Sequence, residues 1–225
     1  MQISHLFVRG LAFVAIALTL SACDQKAASQ QAETQQAVAA KNEIVALSGK
    51  TMGTTYHIKY WGNNEVSITS QQAHEQIESI LKAVNAKMST YIQDSEISRF
   101  NQNTQTNTPI EISADFALVV KEAMRLNQVT QGALDVTVGP VVNLWGFGPE
   151  KRVEKQPTQE QITERQAWVG IDKLSLTEES GKFFLAKSVP QLYVDLSSIA
   201  KGFGVDQVAD YLESIHVQNY MVEIG

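Results

Sequence analysis

The chain has 225 residues, of which 44% are hydrophobic and 19% are charged, a composition that is ordinary for a soluble globular protein. Its formal net charge of -6 argues against general nucleic-acid binding, which usually requires a basic surface. Phosphate-bearing small molecules remain possible ligands, because backbone amides bind phosphate without net positive charge. The single cysteine, Cys23, excludes an intrachain disulfide.

The first 22 residues have the features of a bacterial lipoprotein signal peptide. The apolar run LAFVAIALTL is too short to span a membrane and suits the hydrophobic region of a secretory signal. Leu20, Ser21 and Ala22 then precede Cys23, as in a lipobox, so Cys23 is the predicted lipidation (palmitate) site and mature N-terminus. Asp24 resembles the signal that retains lipoproteins in the inner membrane. The sequence predicts a lipid-anchored protein that faces the periplasm; the alternative is an ordinary signal peptide followed by a buried cysteine.

Residues 23–43 are predicted to form a flexible tether. They are rich in alanine and glutamine and contain no aromatic residue. Such a composition buries too little apolar surface to offset the entropy of ordering the chain. A folded domain is therefore predicted over residues 44–225.

The folded part opens with two predicted strands around a turn between Gly49 and Gly53. The second strand, TTYHIKYW, is rich in β-branched and aromatic residues. Apolar spacing predicts a helix over Ser70–Met88. A second helix is predicted to begin after the N-cap Ser113 and to end before Gly132.

The later elements are predicted from caps and turn residues. A short helix begins at Thr158, which can form a capping box with Gln161. The run KLSLTEESGKFFLAKS predicts a hairpin that turns at Ser180 and Gly181. QLYVDL is a predicted strand, a glycine-bearing helix follows it, and NYMVEIG is the last strand. Because strands and helices mix without strict alternation, the predicted fold is an α/β (mixed α+β) single domain with a mixed sheet and flanking helices.

Two segments near the start carry candidate binding residues. Met52 lies beside a glycine at the entry to a strand, where its thioether could pack on a planar ligand or simply fill a gap in the core. Tyr91 could stack on a ring or donate a hydrogen bond to a phosphate. Glu96 and Arg99 follow at a spacing that predicts a structural pair on a short helix.

Two later segments combine a carboxylate with glycines. Asp135 lies between apolar residues and needs a partner, which is either a backbone cap, a ligand or a cation. Asp195 ends the predicted strand, and the following helix carries Lys201, Gly202 and Gly204. This arrangement favours a phosphate site at the helix start, although glycines also allow close helix packing. The four histidines lack metal-ligand spacing, and no Ser-His-Asp set is evident.

Together, KTMGTTYHIKY, MSTYIQDSEISRFN, GALDVTVGPVVNLWGFG and VDLSSIAKGFGVD resemble the ApbE family of FAD:protein FMN transferases in order and spacing. The resemblance covers residues 44–225. It implies an enzyme that binds FAD, uses Mg2+ to cleave its pyrophosphate, transfers FMN to a Thr or Ser hydroxyl of an acceptor protein and releases AMP. The implied acceptors are flavin-carrying subunits of membrane redox complexes. The alternatives are Mg2+-dependent hydrolysis of FAD to FMN and AMP, or a non-catalytic FAD-binding lipoprotein.

The resemblance also implies the residues of the site. Its FAD-binding set comprises Met52, Tyr91, Ala133, Leu134, Asp135, Asp195 and Lys201. Within this set, Tyr91 is expected near the nucleotide end, and residues 133–135 are expected along the adenosine. Ser198 is the implied Mg2+ ligand through its backbone carbonyl, a type of oxygen ligand that suits a hard cation.

Members of the family continue with a glycine-rich turn and with segments similar to SGDY and to HIIDP followed by TG. Those segments supply the remaining Mg2+ ligands and a histidine near the reaction centre, and none of them occurs in this sequence. The catalytic base is therefore unknown. We expect the chain to be the N-terminal part of a C-terminally truncated domain, and to be poorly active or unfolded by itself.

Overall fold

The structure is a computed structural model that describes residues 43–62, 66, 68–149 and 155–225. The predicted signal peptide, the lipidation site Cys23 and nearly all of the predicted tether lie outside these residues. Within the described ranges, no helix is both long enough and apolar enough to cross a membrane. The predicted mixed α/β class is confirmed by two small sheets with flanking helices.

The strands are divided between two three-stranded sheets, both antiparallel. The first has the order β1-β2-β6 and contains β1 (Ile44–Thr51), β2 (Thr54–Trp61) and β6 (Tyr220–Ile224). The second has the order β3-β5-β4 and contains β3 (Ile110–Ile112), β4 (Leu174–Glu179) and β5 (Lys182–Lys187). Both hairpins have two-residue turns, and a connection this short can only join antiparallel strands. In each turn both residues have positive φ: 49° and 74° at Met52 and Gly53, and 52° and 76° at Ser180 and Gly181.

The described part of the chain contains six helices, and local capping defines where several of them begin. They are α1 (Ser70–Met88), α2 (Glu96–Gln102), α3 (Ala114–Val129), α4 (Gly139–Leu144), α5 (Gln159–Gln166) and α6 (Ala200–Ser214). The predicted N-cap Ser113 of α3 is confirmed, as is the capping box of Thr158 with Gln161 at the start of α5. The prediction of α1 is confirmed at both ends.

Two helices connect the two hydrophobic cores. The N-terminal part of α1 packs Ala73, Ile77 and Leu81 into the core of the first sheet, whereas its last turns pack Val84 and Met88 into the other core. Helix α6 does the reverse, with its first turns in the second core and its later turns in the first. The C-terminal end of α1 and the N-terminal end of α6 therefore both lie where the two cores meet.

The predicted strand QLYVDL is wrong. Tyr193 makes a single parallel bridge with Val138, and the rest of the segment is extended chain outside a named strand. The side-chain amide of Asn101 takes the place of a neighbouring strand at Val194. Its Nδ2 donates to the Val194 carbonyl at 2.8 Å, and its Oδ1 accepts from the Val194 N–H at 2.8 Å. The apolar residues do alternate as in a strand, but the backbone groups of Val194 are hydrogen-bonded to the Asn101 side chain and not to a neighbouring strand.

The predicted pairing of Glu96 with Arg99 is also wrong. The Glu96 carboxylate accepts hydrogen bonds from the backbone N–H and the hydroxyl of Ser113, at 2.5 and 2.7 Å. The Arg99 guanidinium donates to the carbonyl of Asp94. Glu96 keeps a structural role, because it connects α2 to the residue that caps α3.

Lys187 at the end of β5 is buried, with 2% of its surface exposed. Its Nζ donates to the carbonyl oxygens of Asn101 and Leu192, both at 3.0 Å. Burial lowers the pKa of Lys187 from its ordinary value of 10.5 to about 8. Between these two pH values the unfolded chain binds more protons than the folded chain, so this group makes the free energy of unfolding increase with pH.

We expect Lys187→Met to remove this pH-dependent contribution. The free energy of unfolding of the wild type minus that of the variant should increase as the pH is raised from 8 to 10.5, the interval between the two pKa values. Urea denaturation across this range measures it, and the subtraction cancels the other titrating groups. Lys182→Met, at an exposed lysine of the same strand, should retain the wild-type pH dependence. A wild-type minus Lys187→Met difference that stays constant with pH would contradict the assignment.

Candidate functional site

A pocket of about 570 Å³ opens where the two cores meet. It is enclosed by the β1–β2 turn, the C-terminal end of α1 with the loop after it, and the start of α6. The lining residues are Met52, Gly53, Val84, Asn85, Met88, Ser89, Thr90, Tyr91, Ile92, Ser197, Ala200 and Lys201. Among these described residues, Lys201 carries the only charged side chain, so the pocket combines apolar and hydroxyl surface with one positive charge.

Met52 enters this pocket from the β1–β2 turn. Its φ of 49° is what the two-residue hairpin turn requires, as is the φ of 52° at Ser180 in the other hairpin. The side chain is half-buried and packs on the core beneath the pocket. Met52 therefore fills part of the core and also lines the pocket, and its contact with a ligand stays a prediction.

Asn85 fixes the turn of β1 against the end of α1. Its Nδ2 donates to Thr51 Oγ1 and to the Leu81 carbonyl, each at 2.9 Å. The sequence does not single out Asn85 as a site residue. One sequence feature could have identified Asn85: it lies four positions after Leu81 and therefore next to the apolar face of α1. A polar residue that only faced solvent would be expected on the opposite face of the helix.

Tyr91 connects the motif MSTYIQDSEISRFN with the motif GALDVTVGPVVNLWGFG. It is 67% exposed, and its hydroxyl donates to the carbonyl oxygen of Phe147 at 3.1 Å. The loop that carries Tyr91 is fixed at Ser89, whose carbonyl accepts from the hydroxyl of Ser95 at 2.6 Å. An aromatic ring with a free face therefore stands at the edge of the pocket on a loop that is held at its base.

Asp135 and Asp195 form two copies of one local motif. Oδ1 of Asp135 accepts from the N–H and hydroxyl of Thr137 at 2.8 and 2.6 Å. Oδ1 of Asp195 accepts from the N–H and hydroxyl of Ser197 at 2.8 and 2.5 Å. The two motifs lie side by side, because the Asp195 N–H donates to the Val136 carbonyl at 2.7 Å. A local cap thus accounts for Oδ1 of each carboxylate, and Oδ2 of each makes no hydrogen bond within the described residues.

The start of α6 forms the side of the pocket that is predicted to bind a phosphate. Ile199 is the N-cap residue, and no side chain of the described part caps this helix. The N–H groups of Ile199 and Ala200 donate to the Leu196 carbonyl at 3.0 and 2.8 Å. The remaining N–H groups of the first turn and the positive end of the helix dipole favour a phosphate here, next to Lys201. Ser198 is an exposed residue in the turn just before the helix.

The structure separates the predicted residues into two groups. Met52, Tyr91 and Lys201 line one pocket, whereas Asp135 and Asp195 adjoin it through the Asp195–Ser197 motif. Ala133 and Leu134 do not line the pocket. The side chain of Leu134 packs on the second core, and its carbonyl accepts from Asn127 Nδ2 at 2.8 Å.

The two glycines of α6 differ in their surroundings, which yields a test of the helix packing. A Cβ on Gly204 would lie 3.0 Å from Met52 Cε and 3.2 Å from Ile224 Cδ1, whereas a Cβ on Gly202 would meet nothing within 4 Å. We expect Gly202→Ala to raise the free energy of unfolding by about 0.5–1 kcal/mol, because alanine is the better helix former. Gly204→Ala should be less stabilising than Gly202→Ala, because Met52 Cε and Ile224 Cδ1 must each shift by a few tenths of an ångström to admit the new methyl group, which offsets the gain in helix propensity. Urea denaturation of both variants measures this, and equal stabilisation by both would contradict the close approach of α6 to Met52.

Comparison with known sequences agrees with the resemblance that the motifs indicate. The sequence model of the ApbE family matches residues 52–225. The FAD:protein FMN transferase of Haemophilus influenzae is 65% identical over 218 residues, which cover 97% of this chain and 59% of the relative. The FAD:protein FMN transferase of Vibrio cholerae is 54% identical over 183 residues, which cover 81% of this chain and 53% of the relative.

Solved structures show the same fold. The flavin transferase ApbE from Vibrio cholerae matches with a TM-score of 0.76 and 55% identity, over 81% of this chain and 57% of that protein. The flavinyl transferase ApbE of Pseudomonas stutzeri in its apo form matches with a TM-score of 0.74 and 35% identity, over 82% of this chain and 59% of that protein. The chain thus spans a little over half the length of these relatives. The predicted family is confirmed: the chain belongs to the ApbE family.

Proposed function

We propose that the protein is a Mg2+-dependent flavin transferase, which cleaves FAD, attaches FMN through a phosphoester to a Thr or Ser of an acceptor protein and releases AMP. The observation that carries the proposal is the pocket itself, in which an uncapped helix start and Lys201 face Met52 and Tyr91. The positive start of α6 suits the phosphates of a ligand, and the adaptable side chain of Met52 and the aromatic ring of Tyr91 suit its planar rings. The relatives named FAD:protein FMN transferase support the same ligand.

The bound FAD would contact both the pocket and the adjoining carboxylates of Asp135 and Asp195. The side chain of Lys201 and the N–H groups of the first turn that follow Ala200 would neutralise its phosphates. Met52 and Tyr91 would pack on its ring systems. The Oδ2 atoms of Asp135 and Asp195 would accept hydrogen bonds from hydroxyl or amine groups of the adenosine, with Ala133 and Leu134 contributing backbone along that end.

The described residues fit Mg2+ as part of a site. They contain no group of three His, Cys, Asp or Glu residues that could hold an ion by themselves. They do offer the carbonyl of the exposed residue Ser198 beside the proposed phosphate position. Mg2+ prefers oxygen ligands and commonly completes its shell with substrate phosphates. Ser198 would be one ligand, together with FAD oxygens and further oxygens of the protein. When bound, Mg2+ supplies charge neutralisation on the pyrophosphate.

In the transfer step, the acceptor hydroxyl oxygen forms a bond to the phosphorus on the flavin side. The bond from that phosphorus to the bridging oxygen breaks, and AMP leaves with the electron pair. The hydroxyl proton passes to a base, because the pKa of an alcohol is too high for it to react unaided. No described residue that lines the pocket is a His, Asp or Glu. The pocket residues would therefore bind and orient FAD and neutralise its charge, and none of them is assigned as the base.

The test is to incubate the protein with FAD, Mg2+ and a flavin-carrying subunit of a membrane redox complex as acceptor. Flavin fluorescence that stays with the acceptor band in a denaturing gel, together with one AMP per flavin attached, is the expected result. An acceptor whose target Thr or Ser is replaced by Val is the matched control. Free FMN and AMP without labelling would show hydrolysis of FAD instead, and intact bound FAD would show a non-catalytic binding protein. Either result would overturn the proposed transfer.

We further propose that the protein is anchored through lipidated Cys23 to the inner membrane and acts on acceptors at the periplasmic side. The lipobox and Asp24 support this location, as does the proposed acceptor class. Cys23→Ser is expected to move the protein from the membrane fraction to the soluble periplasmic fraction and to abolish palmitate labelling. Labelling that persists in this variant would contradict the anchor.

A further inference from the structure

Lys187 and Asn101 form a buried polar network that the proposed chemistry does not use. Lys187 Nζ joins two separate segments, because it donates to the Asn101 carbonyl in α2 and to the Leu192 carbonyl in the extended segment after β5. The Asn101 carbonyl lies in the last turn of α2, where carbonyls have no partner within the helix. Nζ also lies 5.5 Å from the centre of the Phe100 ring, a favourable position for a cation.

The network forms hydrogen bonds to the backbone of residues 192–194, the extended segment that leads to Asp195. Leu192 and Val194 are fully buried, so their backbone groups need partners inside the protein. Lys187 satisfies the carbonyl of Leu192, and the Asn101 side chain satisfies both groups of Val194. Tyr193 between them makes the bridge to Val138. Residues 192–194 are thus positioned by two side chains on one side and by one backbone bridge on the other.

The position of this stretch determines the position of Asp195. Asp195 follows Val194 directly, and its N–H donates to the Val136 carbonyl at 2.7 Å, which sets it beside Asp135. A displacement of Val194 would therefore move both Asp195 and the Ser197 that lines the pocket. A buried lysine and an asparagine are costly ways to satisfy three backbone groups, since burying polar side chains has a desolvation cost. Such a cost is explicable where the backbone must be placed accurately.

We propose that Lys187 and Asn101 are positioning residues of the nucleotide site, which hold Asp195 in register with Asp135 for binding the adenosine part of FAD. This inference rests on the proposed function. It assigns Lys187 no contact with FAD. Its effect is transmitted through Val194 and Asp195.

The test compares Lys187→Met with Lys182→Met in the whole protein. Methionine matches the apolar stem of Lys187 as far as Cε but lacks Nζ, so it removes the two hydrogen bonds. We expect the KM for FAD, measured by AMP release, to rise by roughly fivefold or more while kcat at saturating FAD stays within about twofold, because a lost ground-state contact raises KM alone. A purely structural role would reduce the amount of active protein, so kcat would fall with KM unchanged. Lys182→Met, at an exposed lysine of the same strand, should leave both values unchanged.

Asn101→Asp provides a second variant of nearly identical shape. It places a carboxylate oxygen against the Val194 carbonyl in place of the N–H donor, so it should also raise the KM for FAD. Asn103→Asp adds the same charge two residues away and should not. If the variants act through Asp195, then adding Lys187→Met to Asp195→Asn should raise KM little further. The proposal is overturned if kcat falls at constant KM, if neither variant changes KM, or if the effects of Lys187→Met and Asp195→Asn simply multiply. Failure of the wild type to turn over or bind FAD would instead refute the proposed function.

Discussion

Asp195→Asn is expected to raise the Kd for FAD by roughly ten- to a hundredfold, the range that corresponds to losing a hydrogen bond to a charged group. Asparagine keeps Oδ1 as the acceptor for the Ser197 N–H and hydroxyl, so the local turn should persist. It replaces Oδ2, the atom left for a ligand, by an amide that donates. A donor on the adenosine would then face another donor in a partly buried site, and the free energy of unfolding should change by less than about 1 kcal/mol.

Quenching of FAD fluorescence measures the Kd, and urea denaturation measures the stability. Asp195→Ala should weaken FAD binding as strongly and also lower the stability, because it loses the turn as well. Asp206→Asn, at an exposed aspartate of α6, is the matched control and should change neither quantity. Wild-type affinity in Asp195→Asn would show that the carboxylate only caps its turn, and the assignment of Asp195 to the FAD site would be wrong.

The elements that the sequence predicts correctly are those defined by neighbouring residues. The N-cap Ser113, the capping box at Thr158 and the turn at Ser180 and Gly181 act within a few positions, so their physical effect is visible in a local pattern. The α1 boundaries follow from apolar periodicity for the same reason.

The errors arise where distant residues compete with local pattern. QLYVDL alternates as a strand does, but its partner at Val194 is the side chain of Asn101, 93 positions earlier in the chain. Glu96 has a suitable cation three residues away and instead binds Ser113, 17 positions later. Spacing alone cannot show which of two chemically acceptable partners the fold brings nearer.

The candidate site shows the same division. The residue types of the motifs identify Met52, Tyr91 and Lys201, which the fold does bring to one pocket. Asn85 and Lys187 could not be identified from the sequence, because neither lies in one of the four motifs. Each instead forms hydrogen bonds to groups that are distant in the chain, Thr51 and Asn101. The shared motif of Asp135 and Asp195 is visible in the sequence as Asp-X-Thr and Asp-X-Ser, yet only the Asp195–Val136 hydrogen bond shows that the two lie together.

Of the variants proposed for this protein, Gly139→Ala should lower the free energy of unfolding most. Gly139 lies where the segments that carry Asp135 and Asp195 approach each other. A Cβ at position 139 would lie 2.8 Å from the Tyr193 carbonyl oxygen and closer still to the Tyr193 ring. The ring can rotate, but the carbonyl belongs to the backbone that bridges to Val138. We expect the free energy of unfolding to fall by about 2–3 kcal/mol, the upper part of the range for overpacking.

The same variant should weaken FAD binding, and this separates it from a general loss of stability. Relief of the overlap requires residues 193–195 to move away from residues 136–139, so Asp195 leaves its position beside Asp135. Combining Gly139→Ala with Tyr193→Ala removes the ring overlap and leaves the carbonyl overlap, so the double variant should be more stable than the two single effects predict by addition. The Kd for FAD should remain raised in that double variant, because the backbone is still displaced. Full recovery of affinity there would show that the ring of Tyr193, and not the spacing of the two backbone segments, controls the position of Asp195.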